Sequence, residues 1–104
     1  DKRLSHGALF IVNSDSAPLI TVLVLNWNRR EDLREALRSV RSQTYRPLEI
    51  LVVDNGSTDG SMEGLDVEFP EIRIVQMDRN LGCTGGRNLG IQYSTGDFIF
   101  FLDN

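Results

Sequence analysis

Apolar residues fall along this chain in runs whose period changes. "LITVLVL", from Leu19, is continuously apolar and rich in β-branched residues, the pattern of a strand covered on both faces. Leu33, Ala36, Leu37 and Val40 then recur at i, i+3, i+4 and i+7, which predicts a helix with one apolar stripe. Asn28 offers that helix an N-cap, with Glu31 three residues on in a capping-box spacing. Arg30, Arg34, Arg38 and Arg41 fall largely off the stripe among Glu and Asp, and read as a solvated face rather than a phosphate-binding patch. Pro47 disfavours helix at Arg46, and "LEILVV" follows as a second buried strand. "DNGSTDGS" is a polar turn. A short helix fits "SMEGLDVE", weakened by Gly64 and closed by Pro70. "IRIVQM" alternates more and predicts a third strand nearer the sheet edge. "NLGCTGG" reads as a glycine-rich loop, "GRNLGIQYS" as a helix with Leu89 and Tyr93 on one face, and "FIFFL" as a fourth, buried strand.

Residues 1–18 carry no clear period: "NSDSAP" reads as a loop, and "ALFIV" as an isolated strand or part of a preceding segment. Residues 19–104 therefore predict one α/β domain in the order β-α-β-α-β-α-β: a Rossmann-like, mainly parallel sheet with helices on both faces. In such sheets ligands sit at the carboxyl ends of strands, where the strand order reverses. Interest falls on the residues just after the strands: Asn26, Trp27 and Asn28, then Asp54 and Asn55, then Asp78, then Asp103 and Asn104.

The totals narrow the function classes. At 104 residues there is room for one small domain. A net charge of −4 argues against broad nucleic-acid binding. "FIFFL" and "VLVL" are far short of the ~20 apolar residues that span a bilayer. The opening "DKRLSHGALFIV" has too brief an apolar run for a secretory signal. The lone Cys83 can make no internal disulfide, so a reducing, cytoplasmic setting is the simplest reading. The lone His6, near the terminus, reads as solvated rather than as a ligand.

Four stretches could carry chemistry. In "VVDNGSTDGS" a buried strand delivers Asp54 and Asn55 to a turn. Such turns use Asp, Asn, Gly and Ser in any case, but a carboxylate can also accept from ribose hydroxyls, and an amide can pair with the imide edge of a pyrimidine. Trp27, between Asn26 and Asn28, suits core packing or stacking on a flat base. The glycines of "NLGCTGGRNLG" allow close backbone approach, and the helix after them offers free N–H groups to an anion, with Arg87 adding a full charge. The spacing matches neither the dinucleotide fingerprint nor a P-loop. Asp103 is a single carboxylate at a strand end, compatible with a turn or with a divalent-metal ligand.

In this order and spacing, "TVLVLNWNRREDLREALRSVRSQTY", "EILVVDNGSTDGS", "NLGCTGGRNLGI" and "GDFIFFLDN" resemble the family 2 glycosyltransferases of the GT-A fold, over roughly residues 19–104. The resemblance implies the nucleotide-sugar-binding half of such a domain. Asn26, Trp27 and Asn28 would line the nucleotide, with Trp27 against the base. Asp54 and Asn55 would contact base and ribose, and Arg87 the base or diphosphate. Asp103 would open the family's Asp-x-Asp motif, which binds Mn²⁺ or Mg²⁺ on the diphosphate. The family often has a second Asp where this chain has Asn55. "DNGS" is similar to members acting on rhamnosyl-type donors, which favours a dTDP- or UDP-sugar.

The resemblance also implies inverting transfer to a carbohydrate or lipid-linked acceptor in polysaccharide biosynthesis. The acceptor half and its general base would lie beyond Asn104, leaving this stretch inactive by itself, and any membrane association would come through the parent protein. A parent sheet that continues would leave edges uncovered here, which predicts that the isolated stretch dimerises. The alternative is a non-catalytic binding or assembly module that keeps the fold. A sugar-phosphate nucleotidyltransferase would want a Gly-rich, Arg-containing loop where "NWNRRED" stands.

Overall fold

A computed structural model describes residues 17–102. The expectations for "ALFIV", His6, Asp103 and Asn104 lie outside the described residues. The elements run β1 Ile20–Asn26, α1 Arg30–Arg41, β2 Leu48–Asp54, α2 Leu65–Glu68, β3 Arg73–Gln76, α3 Gly82–Tyr93 and β4 Phe98–Leu102. The four strands form one parallel sheet in the order β3-β2-β1-β4.

The chain steps from β1 outward to β2 and β3, then returns over the sheet to lay β4 on the other side of β1. Crossovers of one hand place α1 and α2 on one face and α3 on the other. On the first face Leu33, Leu37 and Val40 of α1, with Leu65 and Phe69 around α2, pack on Val22, Val24, Ile50 and Val52. On the second, Leu89 of α3 packs against Leu23, Leu51 and Val53. Successive strand residues point to opposite faces, so β1 and β2 must be apolar throughout, as their sequences are. The strand order reverses between β1 and β4, so the crevice for a ligand opens at their carboxyl ends.

Several local expectations are corrected. Asn28 does not cap α1. It takes a left-handed backbone conformation (φ 53°), and the helix begins at Arg30. The cap comes from across the fold: the Arg30 N–H donates to Asp59 Oδ2 at 3.1 Å. Arg34 is not on a solvated face. It is buried, with Nε donating to Glu68 Oε1 at 2.9 Å and Nη1 and Nη2 to the carbonyls of Ser61 and Glu63 at 2.9 and 2.8 Å. It thereby binds α1 to the loop ahead of α2, a partnership that helical spacing does not reveal. The helix in "SMEGLDVE" covers only its second half, after a left-handed Gly64. β4 is an edge strand, with Phe98, Phe100 and Phe101 exposed. Tyr93 is exposed too, although Leu89 joins the core as expected.

The largest correction concerns "NLGCTGG", whose glycines begin α3 rather than a loop. Gly86 and Gly90, one turn apart, are buried where the helix comes down on β1. A Cβ at Gly90 would stand 2.4 and 2.7 Å from the methyl carbons of Leu23 and 3.1 Å from its Cγ. Leu23 is 1% exposed, so it has nowhere to turn. Gly90→Ala gains about 1 kcal/mol of helix propensity but overpacks this contact by about 2–3 kcal/mol. Chemical denaturation should show a net loss of about 1–2 kcal/mol; a stabilised variant would contradict the packing.

Candidate functional site

The carboxyl ends of β1 and β2 are level, with Asn26 paired in register to Asp54. Both side chains are buried, and they meet: Asn26 Nδ2 donates to Asp54 Oδ1 at 2.9 Å. Ser57 joins the pair. Its hydroxyl donates to Asp54 Oδ1 at 2.6 Å and its N–H donates to Asp54 Oδ2 at 2.9 Å. The same Ser57 oxygen accepts from Asn26 Nδ2 at 3.2 Å and from the Asn28 N–H at 2.8 Å. Asn28 Oδ1 in turn accepts from the Thr58 N–H at 2.7 Å. The exits of β1 and β2 thus form one bonded rim, and its bonds hold Asn28 in the left-handed region that non-glycine residues enter at a cost.

Gly56 makes the turn between Asp54 and Ser57 feasible. Its φ is 79°, and a Cβ there would meet the Arg79 backbone at 2.8 Å. Beyond it, the Ser61 hydroxyl and N–H, with the Arg30 N–H, hold the Asp59 carboxyl below its ordinary range.

Asn55 faces the other way, toward α3. Its Oδ1 accepts from the Leu81 N–H at 3.1 Å and its Nδ2 donates to the Gly82 carbonyl at 3.0 Å. Arg87, on the second turn of α3, is exposed, and its Cζ lies 5.6 Å from the centre of the Phe101 ring on β4. Trp27 leaves β1 with 51% of its surface exposed, so it is not a core residue.

The residues nominated from sequence therefore divide. Asn26, Asn28 and Asp54 come together through Ser57, and Asn55 adjoins them at the start of α3. Trp27, Arg87 and Asp78 are exposed, Trp27 directly after β1, Arg87 on α3 and Asp78 after β3. Asp103 lies outside the described residues, but β4 ends at Leu102 in register with Val24 and so exits at this same end of the sheet. Among the described residues no three of His, Cys, Asp and Glu cluster as a cation site. Asp54, the carboxylate at the centre of the rim, has both oxygens engaged by Asn26 and Ser57. A divalent cation held mainly by diphosphate oxygens and water needs only one or two carboxylates from the protein.

Ser57 is the residue that sequence reasoning undervalued. An Asp followed three positions on by Ser is the spacing at which an Asp side chain bonds the backbone of its own turn, and that signal was available.

A family model described as glycosyl transferase family 2 matches residues 21–104. The chain is 35% identical over 95 residues to "Glycosyltransferase AglE" of Haloferax volcanii, covering 86% of this chain and 31% of that protein. It is 40% identical over 88 residues to "Glycosyltransferase GlyA" of Streptococcus pneumoniae, covering 82% of this chain and 12% of that one. The chain thus spans less than a third of either relative. Among solved structures, mannosyltransferase PcManGT from Pyrobaculum calidifontis, in complex with GDP-Man and Mn²⁺, superposes with a TM-score of 0.76 at 26% identity. That match covers 88% of this chain and 28% of the mannosyltransferase. S. aureus TarS 1-349 in complex with UDP gives 0.73 at 26% identity, over 81% of this chain and 26% of that 1-349 chain.

Proposed function

The chain belongs to glycosyl transferase family 2, and from that premise we propose that it forms the donor-nucleotide-binding part of a glycosyltransferase. The parent enzyme moves a sugar from a UDP- or dTDP-sugar to an acceptor hydroxyl, with inversion. One observation carries this reading: Trp27 stands half exposed at the exit of β1, beside the point where strand order reverses, on a rim whose hydrogen bonds hold its neighbours fixed. A flat indole face there suits a nucleobase, and Arg87 on α3 suits the negative diphosphate. That PcManGT and TarS hold GDP-Man and UDP supports a nucleotide as the occupant.

The reaction is a single displacement. The acceptor oxygen bonds to the anomeric carbon as the bond to the diphosphate breaks, and a base in the acceptor half takes the hydroxyl proton. When bound, Mn²⁺ or Mg²⁺ supplies charge neutralisation for the departing diphosphate, with Asp103 as one of the residues that would hold it. What residues 17–102 do is bind and orient: Trp27 stacks, the Asn26–Asp54–Ser57 rim fixes it, and Arg87 draws the phosphates. The acceptor is a carbohydrate or a lipid-linked one, and the parent works in the cytoplasm.

Calorimetry on the full-length protein with Mn²⁺ tests this. UDP or dTDP should bind with a Kd of about 10–100 μM, roughly −6 kcal/mol. Trp27→Ala should weaken binding about tenfold or more, at the 1–3 kcal/mol typical of base stacking. Thermal stability should stay near that of the parent, because half of the indole is in water. Tighter GDP binding would replace the pyrimidine choice. No binding of any nucleoside diphosphate would overturn the donor site, and binding with neither transfer nor donor hydrolysis would favour a non-catalytic module.

A further inference from the structure

We infer that Phe101 is a positioning residue for the donor: its ring is a shelf that confines the Arg87 guanidinium beside the strand ends, ready for a diphosphate. The inference rests on the donor-site reading above and deepens it.

The placement follows from the backbone. Ile99 of β4 packs into the core cluster beneath α3, and Phe101, two residues on, points to the same face of the sheet. In register, Phe101 lies beside Leu23 of β1. Leu23 is also where α3 rests: a Cβ at Gly90 would stand 2.4 Å from one of its methyl carbons, and a Cβ at Gly86 the same distance from Leu25 Cδ1. Both glycines are buried. With no side chain between helix and strand along that line, α3 lies low over β1. Arg87 follows Gly86 directly and precedes Gly90 by three, so it leaves the helix at that height. Its stem is long enough to reach β4, and its Cζ lies 5.6 Å from the centre of the Phe101 ring. That is within the ~6 Å at which a cation is drawn to an aromatic face.

The contact has a use that core packing does not supply. Phe101 is 44% exposed, one residue short of the end of β4 at Leu102, so its ring borders the crevice instead of filling the core. An arginine gives up much rotamer freedom when it docks on a phosphate. A ring that already confines the guanidinium reduces that loss on binding. Contact with the ring uses the face of the guanidinium and leaves its in-plane N–H groups for phosphate oxygens. The neighbouring Phe100 offers an internal comparison. It is more exposed, at 57%, and lies beside Val22 on the opposite face, turned away from α3.

The test is UDP binding by the full-length protein with Mn²⁺. Phe101→Leu should weaken UDP about two- to fivefold, the range expected of a cation–π contact at a half-exposed site. Phe101→Tyr keeps the ring and should bind like the parent protein, and so should Phe100→Leu. Uridine, which carries no phosphate, should bind Phe101→Leu and the parent protein equally. In an Arg87→Ala background, Phe101→Leu should have no further effect, the mark of two residues acting as one. An equal loss in that background, a loss in Phe101→Tyr as large as in Phe101→Leu, a matching loss in Phe100→Leu, or a matching loss for uridine each overturns the proposal. Should Phe101→Leu fail to fold, the β-branched Phe101→Ile carries the same expectations. If the parent protein binds no nucleoside diphosphate, the donor reading fails. The shelf is then judged by NMR of the Arg87 side chain: its guanidinium protons should show the upfield shift of a nearby ring face, and ordinary shifts refute the contact.

Discussion

Replacing Asp54 by Asn should cost about 2–4 kcal/mol of stability and weaken nucleotide binding at least tenfold, although the side chain keeps its shape. Asp54 is fully buried and takes three donated hydrogen bonds: from Asn26 Nδ2 and the Ser57 hydroxyl on one oxygen, and from the Ser57 N–H on the other. An amide has one oxygen. If that oxygen keeps the first position, the new N–H₂ faces the Ser57 N–H. If it keeps the second, the N–H₂ faces Asn26 Nδ2 instead. Either way a buried donor is left without an acceptor beside another donor, at about 1–3 kcal/mol plus repulsion. Because Ser57 also receives the Asn28 N–H, the loss spreads to the segment that carries Trp27. Chemical denaturation and calorimetry together check this. Unchanged stability would mean that the rim is not held as described.

A second large effect is expected at the opposite end of the sheet, in acid. Burial pushes the Glu49 carboxyl up, but hydrogen bonds from the Thr95 N–H, the Thr21 hydroxyl and the Arg73 guanidinium outweigh it and hold it down to about 2. Thr21 also accepts from the Gly96 N–H at 2.9 Å, and Arg73 donates to the Tyr93 carbonyl at 3.0 Å. The network thus pins the end of α3 and its loop to β1, β2 and β3. The folded pKa lies below the unfolded 4.5, so the stabilisation is fully present above pH 4.5 and is lost as pH falls toward 2. Only 11% of the Glu49 side chain is exposed, which limits screening. The shift corresponds to about 3 kcal/mol. Glu71, beside Arg41, and Asp59 are also depressed, but they are exposed and screened. Glu49→Gln should therefore lose about 3 kcal/mol at pH 7 and show a much flatter decline to pH 3 than the parent protein. Parallel declines would place the acid-labile group elsewhere.

The elements were legible because burial on two faces demands unbroken apolar strands, and β1 and β2 supply them. The stripe from Leu33 to Val40 is one-dimensional information too. What was not legible depends on partners distant in sequence. The glycines of "NLGCTGG" look like loop residues, and nothing marks Gly86 and Gly90 as the helix's seat until Leu23 and Leu25 are seen beneath them. Arg34 looks like surface until Ser61, Glu63 and Glu68 close on it. Asn28 looks like a cap until the 57–58 turn draws its backbone into the left-handed region. β4 reads as buried from composition alone, since composition cannot say which strand lies at an edge. In the site, the strand-end positions were legible, because topology alone puts Asn26 and Asp54 side by side. The division between bonded rim and exposed Trp27 and Arg87 was not.

The position of β4 has a consequence for synthesis on the ribosome. β1 has β2 on one side and β4 on the other, and Leu19 bonds to Asp97, 78 residues later. At about 5–20 residues per second, the nascent chain waits roughly 4–16 s between the emergence of these two partners. Through that interval one side of "ITVLVLN" offers open backbone groups flanked by aliphatic side chains, a template for pairing with a neighbouring chain. Slow translation through residues 60–97 lengthens that exposure, and a chaperone that holds extended apolar segments shields it until Phe98–Leu102 arrives.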